Sequence, residues 1–225
     1  MKNVLLYHGS TKVIERPILG LGNPKNDYGL GFYCTENQEL AKEWASTEAS
    51  DGFANIYELD FNGLRVLHLN KEPYHILNWL AILLKNRTFL LSQGLPTDAR
   101  DYIFENFLPQ YEDFDVIIGY RADDSYFSFA NAFLNNTISL EQLRKTMFLG
   151  KLGEQVVIKS QKAFNALKYL GSTPVASSQY YPKRQARDNQ ARDDFQKMRS
   201  QVSSVDSIYM IDILRQKWTN DDARL

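Results

Sequence analysis

Two glycines, Gly29 and Gly31, stand just before Phe32-Tyr33, and a few residues later the same stretch turns helical. Asp27 to Ala45 reads as a glycine-framed strand running straight into a capped helix. Glycine at such places permits a positive φ or lets a ligand approach the main chain closely. Thr35, with Gln38 three residues on, makes a capping-box pattern. Leu40, Ala41, Trp44 and Ala45 then recur at helical spacing, so one face is apolar. Tyr33 at the strand end and Trp44 on the helix can wall a flat, slightly polar ring. The same spacing also suits plain core packing, and this stretch alone leaves both readings open.

The flanking segments alternate strands with helices. Asn3 to Tyr7 reads as a short buried strand ending on His8-Gly9-Ser10, and residues 11–28 are a loop rich in Gly, Pro, Asn and Asp. Gly20-Leu-Gly22 lacks the third glycine of a dinucleotide fingerprint. Asn55 to Phe61 alternates, with Tyr57, Leu59 and Phe61 on one face. Asn62-Gly63 then predicts a hairpin into a strand over 64–69. Helices are predicted from Pro73 to Asn86, Thr97 to Leu108, Asp124 to Leu134 and Ser139 to Phe148, the last with an S-x-x-Q cap. Buried strands are expected at Asp115 to Tyr120, Glu154 to Ile158 and Leu167 to Leu170. Beyond Pro174 the composition shifts toward Ser, Gln, Arg, Lys and Asp. Lys183 to Arg199 holds six basic and three acidic residues, an extended helix or a partly disordered arm. An amphipathic helix is predicted from Val205 to Trp218.

Composition narrows the class. The 225 residues suffice for a full core, and a net charge of −1 gives no global reason to bind nucleic acid or an anionic membrane. One cysteine, Cys34, excludes an intrachain disulfide framework and fits a reducing compartment. The longest apolar run, Ile76 to Leu84, is too short to span a bilayer. The expected location is the cytoplasm, with export as an effector the other possibility. His8, His68 and His75 lack zinc-ligand spacing, and His68 and His75 suit structural places. Asp123-Asp124 either caps the next helix or offers a carboxylate pair to a metal or substrate.

Taken together, Tyr7-His-Gly-Ser10, Gly29-x-Gly-x-Tyr33, Ala41-x-x-Trp44 and Glu154-Gln-Val-Val-Ile158 resemble the catalytic core of the ADP-ribosyltransferase superfamily. The resemblance is to its His-Tyr-Glu branch, shared by poly(ADP-ribose) polymerases and diphtheria-type toxins. The span 3–170 is similar to an uncharacterised bacterial domain family of that superfamily. The matching features are Asp27-x-Gly-x-Gly-Phe-Tyr-x-Thr35, Ala41-x-x-Trp-Ala45, Asp115-Val-Ile-Ile-Gly119, Ala122-Asp-Asp124, Gln155-Val-Val-Ile and Lys162-Ala163.

The resemblance implies an α+β fold with a split, mainly antiparallel sheet core, helices inserted between its halves over 72–110, and a C-terminal helical arm. It implies an ADP-ribosyltransferase-like domain over 1–175 and an extension over 176–225. The implied activity is mono-ADP-ribosyl transfer from NAD to a macromolecular acceptor, protein or nucleic acid, with nicotinamide released. The alternatives are an NAD glycohydrolase and a degenerate module that binds NAD, ADP-ribose or a partner without turnover. A bacterial toxin or effector, with an antitoxin or immunity partner, is the implied setting. Gly9 would clamp the carboxamide by its backbone, His8 and Ser10 would hold ribose hydroxyls, and Gly31, Tyr33 and Trp44 would frame the nicotinamide. Glu154 would hydrogen-bond the ribose and stabilise its oxocarbenium-like charge. No metal is implied, since nicotinamide departs neutral. Adjacent strand residues face opposite ways, so only one of Glu154 and Gln155 can face the cleft. The resemblance assigns Glu154 to it. Ala41 stands where the polymerases carry a serine. The arm over 183–199 is either a solvated helix face or a surface for nucleic acid, the acceptor or an antitoxin.

Overall fold

The computed structural model describes residues 3–122, 124–200 and 206–225, and the chain is α+β. Asp123, the Asp124 side chain and Val205 lie outside the described features, and with them the proposed carboxylate pair and the start of the last predicted helix. The described residues fall into two compact units. The first lies within Met1–His68, Tyr111–Gly119 and Glu154–Asp188; the second within Leu69–Gln110, Tyr120–Gly153 and Asn189–Leu225. Both units draw on residues either side of position 175.

The first unit holds two sheets. One has the order β1 (Val4–Ser10), β3 (Gly52–Leu59), β7 (Leu167–Val175), antiparallel throughout. The other has the order β2 (Phe32–Cys34), β6 (Glu154–Ile158), β5 (Val116–Tyr120), β4 (Val66–His68); β2 is antiparallel to β6 and β4 parallel to β5. Leu6 and Leu59 from the first sheet share a core with Cys34, Val116, Val156 and Ile158 from the second. Burial there pushes the Cys34 thiol pKa up. Helix α1 (Gln38–Ala45) covers the other side, packing Ala41 and Ala45 against Ala54 and Val175.

Two local expectations fail for non-local reasons. Asn62-Gly63 makes a turn, with Gly63 at φ +73°, but no hairpin: β3 pairs with β1 and β7, while β4 joins the other sheet beside β5. The turn carries the chain from one sheet to the next. The cap of α1 is Asn37, which accepts from the N–H groups of Glu39 and Leu40, while Thr35 accepts from Asn37 N–H at 3.2 Å. Thr35 is itself tied by a two-way backbone bridge to Tyr7, at 2.8 and 2.9 Å, one residue before the helix can begin.

The second unit is helical. It contains α2 (Ile76–Asn86), α3 (Leu95–Phe107), α4 (Asp124–Leu134), α5 (Leu140–Thr146) and α8 (Met210–Arg215). A short helix, α6 (Gln161–Asn165), belongs to the first unit, and the long α7 (Ser177–Ser200) contributes its beginning to the first unit and its end to the second. Ser139 caps α5 reciprocally with Gln142, as its sequence predicts. Leu77, Trp79, Leu80, Phe133 and Trp218 are among its fully buried side chains. Among the described residues, no helix is long and apolar enough to cross a membrane.

Candidate functional site

The site is built where the end of β1 meets β2. The Tyr7–Thr35 bridge sets the two strand ends side by side, and His8 Nδ1 then lies 2.7 Å from the carbonyl oxygen of Tyr33. A carbonyl only accepts, so Nδ1 carries the proton of this bond. The imidazole lies against the Phe32 ring, centroids 4.3 Å apart and planes tilted by 31°. Phe32 meets the edge of Tyr57 in turn.

The Tyr33 hydroxyl works for the loop before it. It accepts from Tyr28 N–H at 3.1 Å and donates to the Gly29 carbonyl at 2.5 Å. This pins the glycine turn, in which Gly29 sits at φ +75°. Gly31 has no room for a side chain: a Cβ there would stand 2.7 Å from Val157 Cγ1. At Gly22 a Cβ would stand 2.6 Å from the Gly31 carbonyl oxygen. The two glycine-bearing loops therefore touch backbone to backbone, the close approach that glycine permits.

A cavity of about 400 Å³ opens between these parts. Strand residues His8, Phe32 and Tyr33 form one wall; the loop from Ile14 to Asn26 forms the other. That volume is in the range of small-molecule sites.

Sequence reasoning missed the residue that fixes the loop wall. Asn55, fully buried on β3 opposite His8, donates from Nδ2 to the His8 carbonyl, the Ser10 hydroxyl and the Lys12 carbonyl, at 3.1 to 3.2 Å. Its Oδ1 accepts from Ile14 N–H at 2.9 Å. Tyr57, two residues on along the same face, donates to the Ile14 carbonyl at 2.5 Å. The available signal was an asparagine in phase with Tyr57, Leu59 and Phe61 on the buried side of an alternating strand.

The remaining expected site residues fall as follows. Ser10 donates to the Lys12 carbonyl and receives Asn55, so its hydroxyl shapes the loop. Gly9 faces α1: a Cβ would lie 2.1 Å from the Ala41 carbonyl oxygen, so helix packing by itself demands glycine there. Trp44 is half-buried and does not line the cavity; the Arg184 guanidinium of α7 stacks on its ring at 4.2 Å.

The pairing of β6 with β2 sets the facing of its first two residues. Tyr33 pairs with Val157, so Gln155, two residues from Val157, shares Tyr33's side of the sheet. Gln155 is buried and donates to Asp27 Oδ2 at 2.8 Å, and Lys159 on the same side donates to the Tyr28 carbonyl at 2.6 Å. Burial lowers the Lys159 pKa. Glu154 lies on the side of Val156 and Ile158. It is exposed at the strand's start, its carboxylate 4.0 Å from His68 Nε2. The pairing register thus sets Gln155 on Tyr33's side of the sheet and Glu154 on Phe32's side, and neither is among the residues lining the cavity.

The family model described as "Protein of unknown function (DUF3990)" matches residues 4–169. The chain belongs to this family. The match covers β1 to β6 and the start of β7, and with them every residue of the cavity. Searches of the curated proteins and of the solved structures returned no match.

Proposed function

We propose that this DUF3990 chain takes NAD in the cavity between His8, Tyr33 and the Ile14–Asn26 loop, and transfers its ADP-ribosyl group to a macromolecular acceptor. The supporting observation is the 2.7 Å bond from His8 to the Tyr33 carbonyl. It joins two motifs lying on different sheets into one wall of one cavity. In this reading the fold is a split-sheet ADP-ribosyltransferase core, and a bacterial toxin or effector is its setting.

NAD supplies the reactive N-glycosidic bond. On cleavage nicotinamide leaves neutral, and the acceptor forms the new bond to the ribose carbon. The chain's own contribution is to hold and orient. The His8 imidazole, oriented by its bond to the Tyr33 carbonyl, meets a ribose hydroxyl. Phe32 and Tyr33 of β2 line the same cavity for a flat ligand. The buried amide of Asn55 keeps the strand end and the loop wall in place before any ligand arrives.

A second reading is favoured by one observation. No aspartate or glutamate is among the described residues lining the cavity, so no fixed carboxylate faces the sugar there. A site of this make-up binds NAD or ADP-ribose and turns it over slowly or not at all. Incubation with NAD labelled in its adenylate half separates the readings. Label on macromolecule is expected for transfer, free ADP-ribose for glycohydrolysis, and a rise in melting temperature without either product for binding alone. The absence of all three outcomes would sink the NAD reading.

A further inference from the structure

The two walls of the cavity differ in chemistry. The strand wall offers the His8 imidazole. The loop wall is apolar, through Ile14, Ile18 and Leu21, except for Arg16 and asparagine side chains. Among the described residues lining the cavity, Arg16 is the one with a permanent charge, and no carboxylate lines the cavity to neutralise it. Asn23 spends its side-chain oxygen inside the loop, accepting from Lys25 N–H at 2.9 Å, which leaves the amide hydrogens as what it can offer a ligand. An imidazole for hydroxyls on one wall and a guanidinium with an amide donor on the other suit a sugar joined to a phosphate group.

We infer that the loop wall is an anion subsite, in which Arg16, seconded by Asn23, holds the diphosphate of a nucleoside-diphosphate sugar. Guanidinium forks match phosphate oxygens in pairs, so one arginine in an otherwise apolar wall gives both affinity and direction. The loop is not free to wander: Asn55 and Tyr57 fix it at Ile14, and Gly22 rests on Gly31. Arg16 therefore projects from a positioned segment. The inference rests on the NAD reading for the nicotinamide end of the ligand but not for the diphosphate end.

The test is titration calorimetry of the full chain with NAD, ADP-ribose and nicotinamide riboside, on wild type, Arg16→Ala and Arg16→Lys. Arg16 is exposed, and unchanged melting temperatures check that both variants fold. Arg16→Ala is expected to weaken NAD and ADP-ribose by about 10- to 100-fold and to leave nicotinamide riboside within about twofold, with Arg16→Lys recovering part of the loss. Wild-type affinity for NAD in Arg16→Ala overturns the anion subsite and leaves the NAD reading standing. Binding of ADP-ribose that depends on Arg16, with no binding of NAD or nicotinamide riboside, supports the subsite and overturns the NAD reading. Failure of wild type to bind any of the three overturns both.

Discussion

The loop wall of the cavity and the seam between α1 and α7 both tie distant parts of the chain together, by opposite means. The loop wall hangs on uncharged groups that are buried or nearly so: the Asn55 amide and the hydroxyls of Tyr57 and Tyr33. The seam adds a row of charges to one small apolar contact, Tyr180 of α7 against Ala41 and Ala45 of α1. Arg187 grips Glu43 with two bonds at 2.7 and 2.8 Å, Lys183 stands 3.9 Å from Glu39, and Arg184 caps Trp44. Buried neutral anchors have no water to fall back on, so they hold one geometry. Pairs at a half-exposed seam lose little when water replaces the partner. The difference teaches that the cavity is preformed, while the arm is held by contacts that can be exchanged.

The largest expected effect lies in the loop wall. Asn55→Ala strands Ile14 N–H and removes the donor shared by the His8 and Lys12 carbonyls, costing about 3 kcal/mol in chemical denaturation. A loss under about 1 kcal/mol would show that the loop is fixed by something else. Arg187→Ala comes next, because its partner carboxylate is buried: the Glu43 side chain is 4% exposed. Leaving that carboxylate uncompensated should cost about 2 kcal/mol, and Glu43→Gln in the same background should return part of it. An additive double mutant would place this pair with the weak surface contacts and sharpen the contrast.

The sequence was legible wherever a segment decides its own state. β6 occupies Glu154–Ile158 as predicted, the Ser139–Gln142 cap forms, and the polar stretch after Pro174 is one long helix. His8 and Tyr33 both line the cavity. What was illegible depends on partners far along the chain. Asn62-Gly63 has hairpin chemistry, but β3 already has β1 and β7 on its two edges. Thr35 has capping chemistry but is held by Tyr7. Gln155 faces with Tyr33 because β2 pairs with β6 in one register, and no local pattern specifies a register between strands more than a hundred residues apart. The start of the basic arm was equally illegible, since Lys183, Arg187 and Arg184 meet Glu39, Glu43 and Trp44 of a helix from the other end of the chain.

Tyr33→Phe tests the loop wall more gently. It keeps the ring and removes both hydroxyl bonds to the glycine turn. About 1 kcal/mol of stability should be lost, with faster amide exchange over residues 26–31. Unchanged exchange there would mean that Gln155 and Lys159 alone hold the turn.

Acidification should act on the seam before it acts on the loop wall, and this is the smallest effect expected. The Lys42 ammonium, followed by Tyr180 and Lys183, holds the Glu39 carboxyl pKa below its ordinary value. A carboxyl whose folded pKa is depressed favours the folded contact above its unfolded pKa, near 4.3, and loses that contribution as pH falls through the lower folded value. Glu39 is more than half exposed, so the consequence is local loosening and not unfolding. Between pH 5 and pH 3, amide exchange over residues 177–188, corrected for its intrinsic pH dependence, should accelerate in wild type. Exchange over residues 10–14 should not, because Asn55, Tyr57 and the backbone groups they bind do not titrate there. Glu39→Gln should reduce the seam's pH response, with the Glu43 and Asp51 carboxylates still present, while leaving its exchange at neutral pH nearly unchanged. Parallel acceleration of both segments would mean that the cavity wall and the arm open together, and the contrast between a preformed cavity and an exchangeable arm would fall with it.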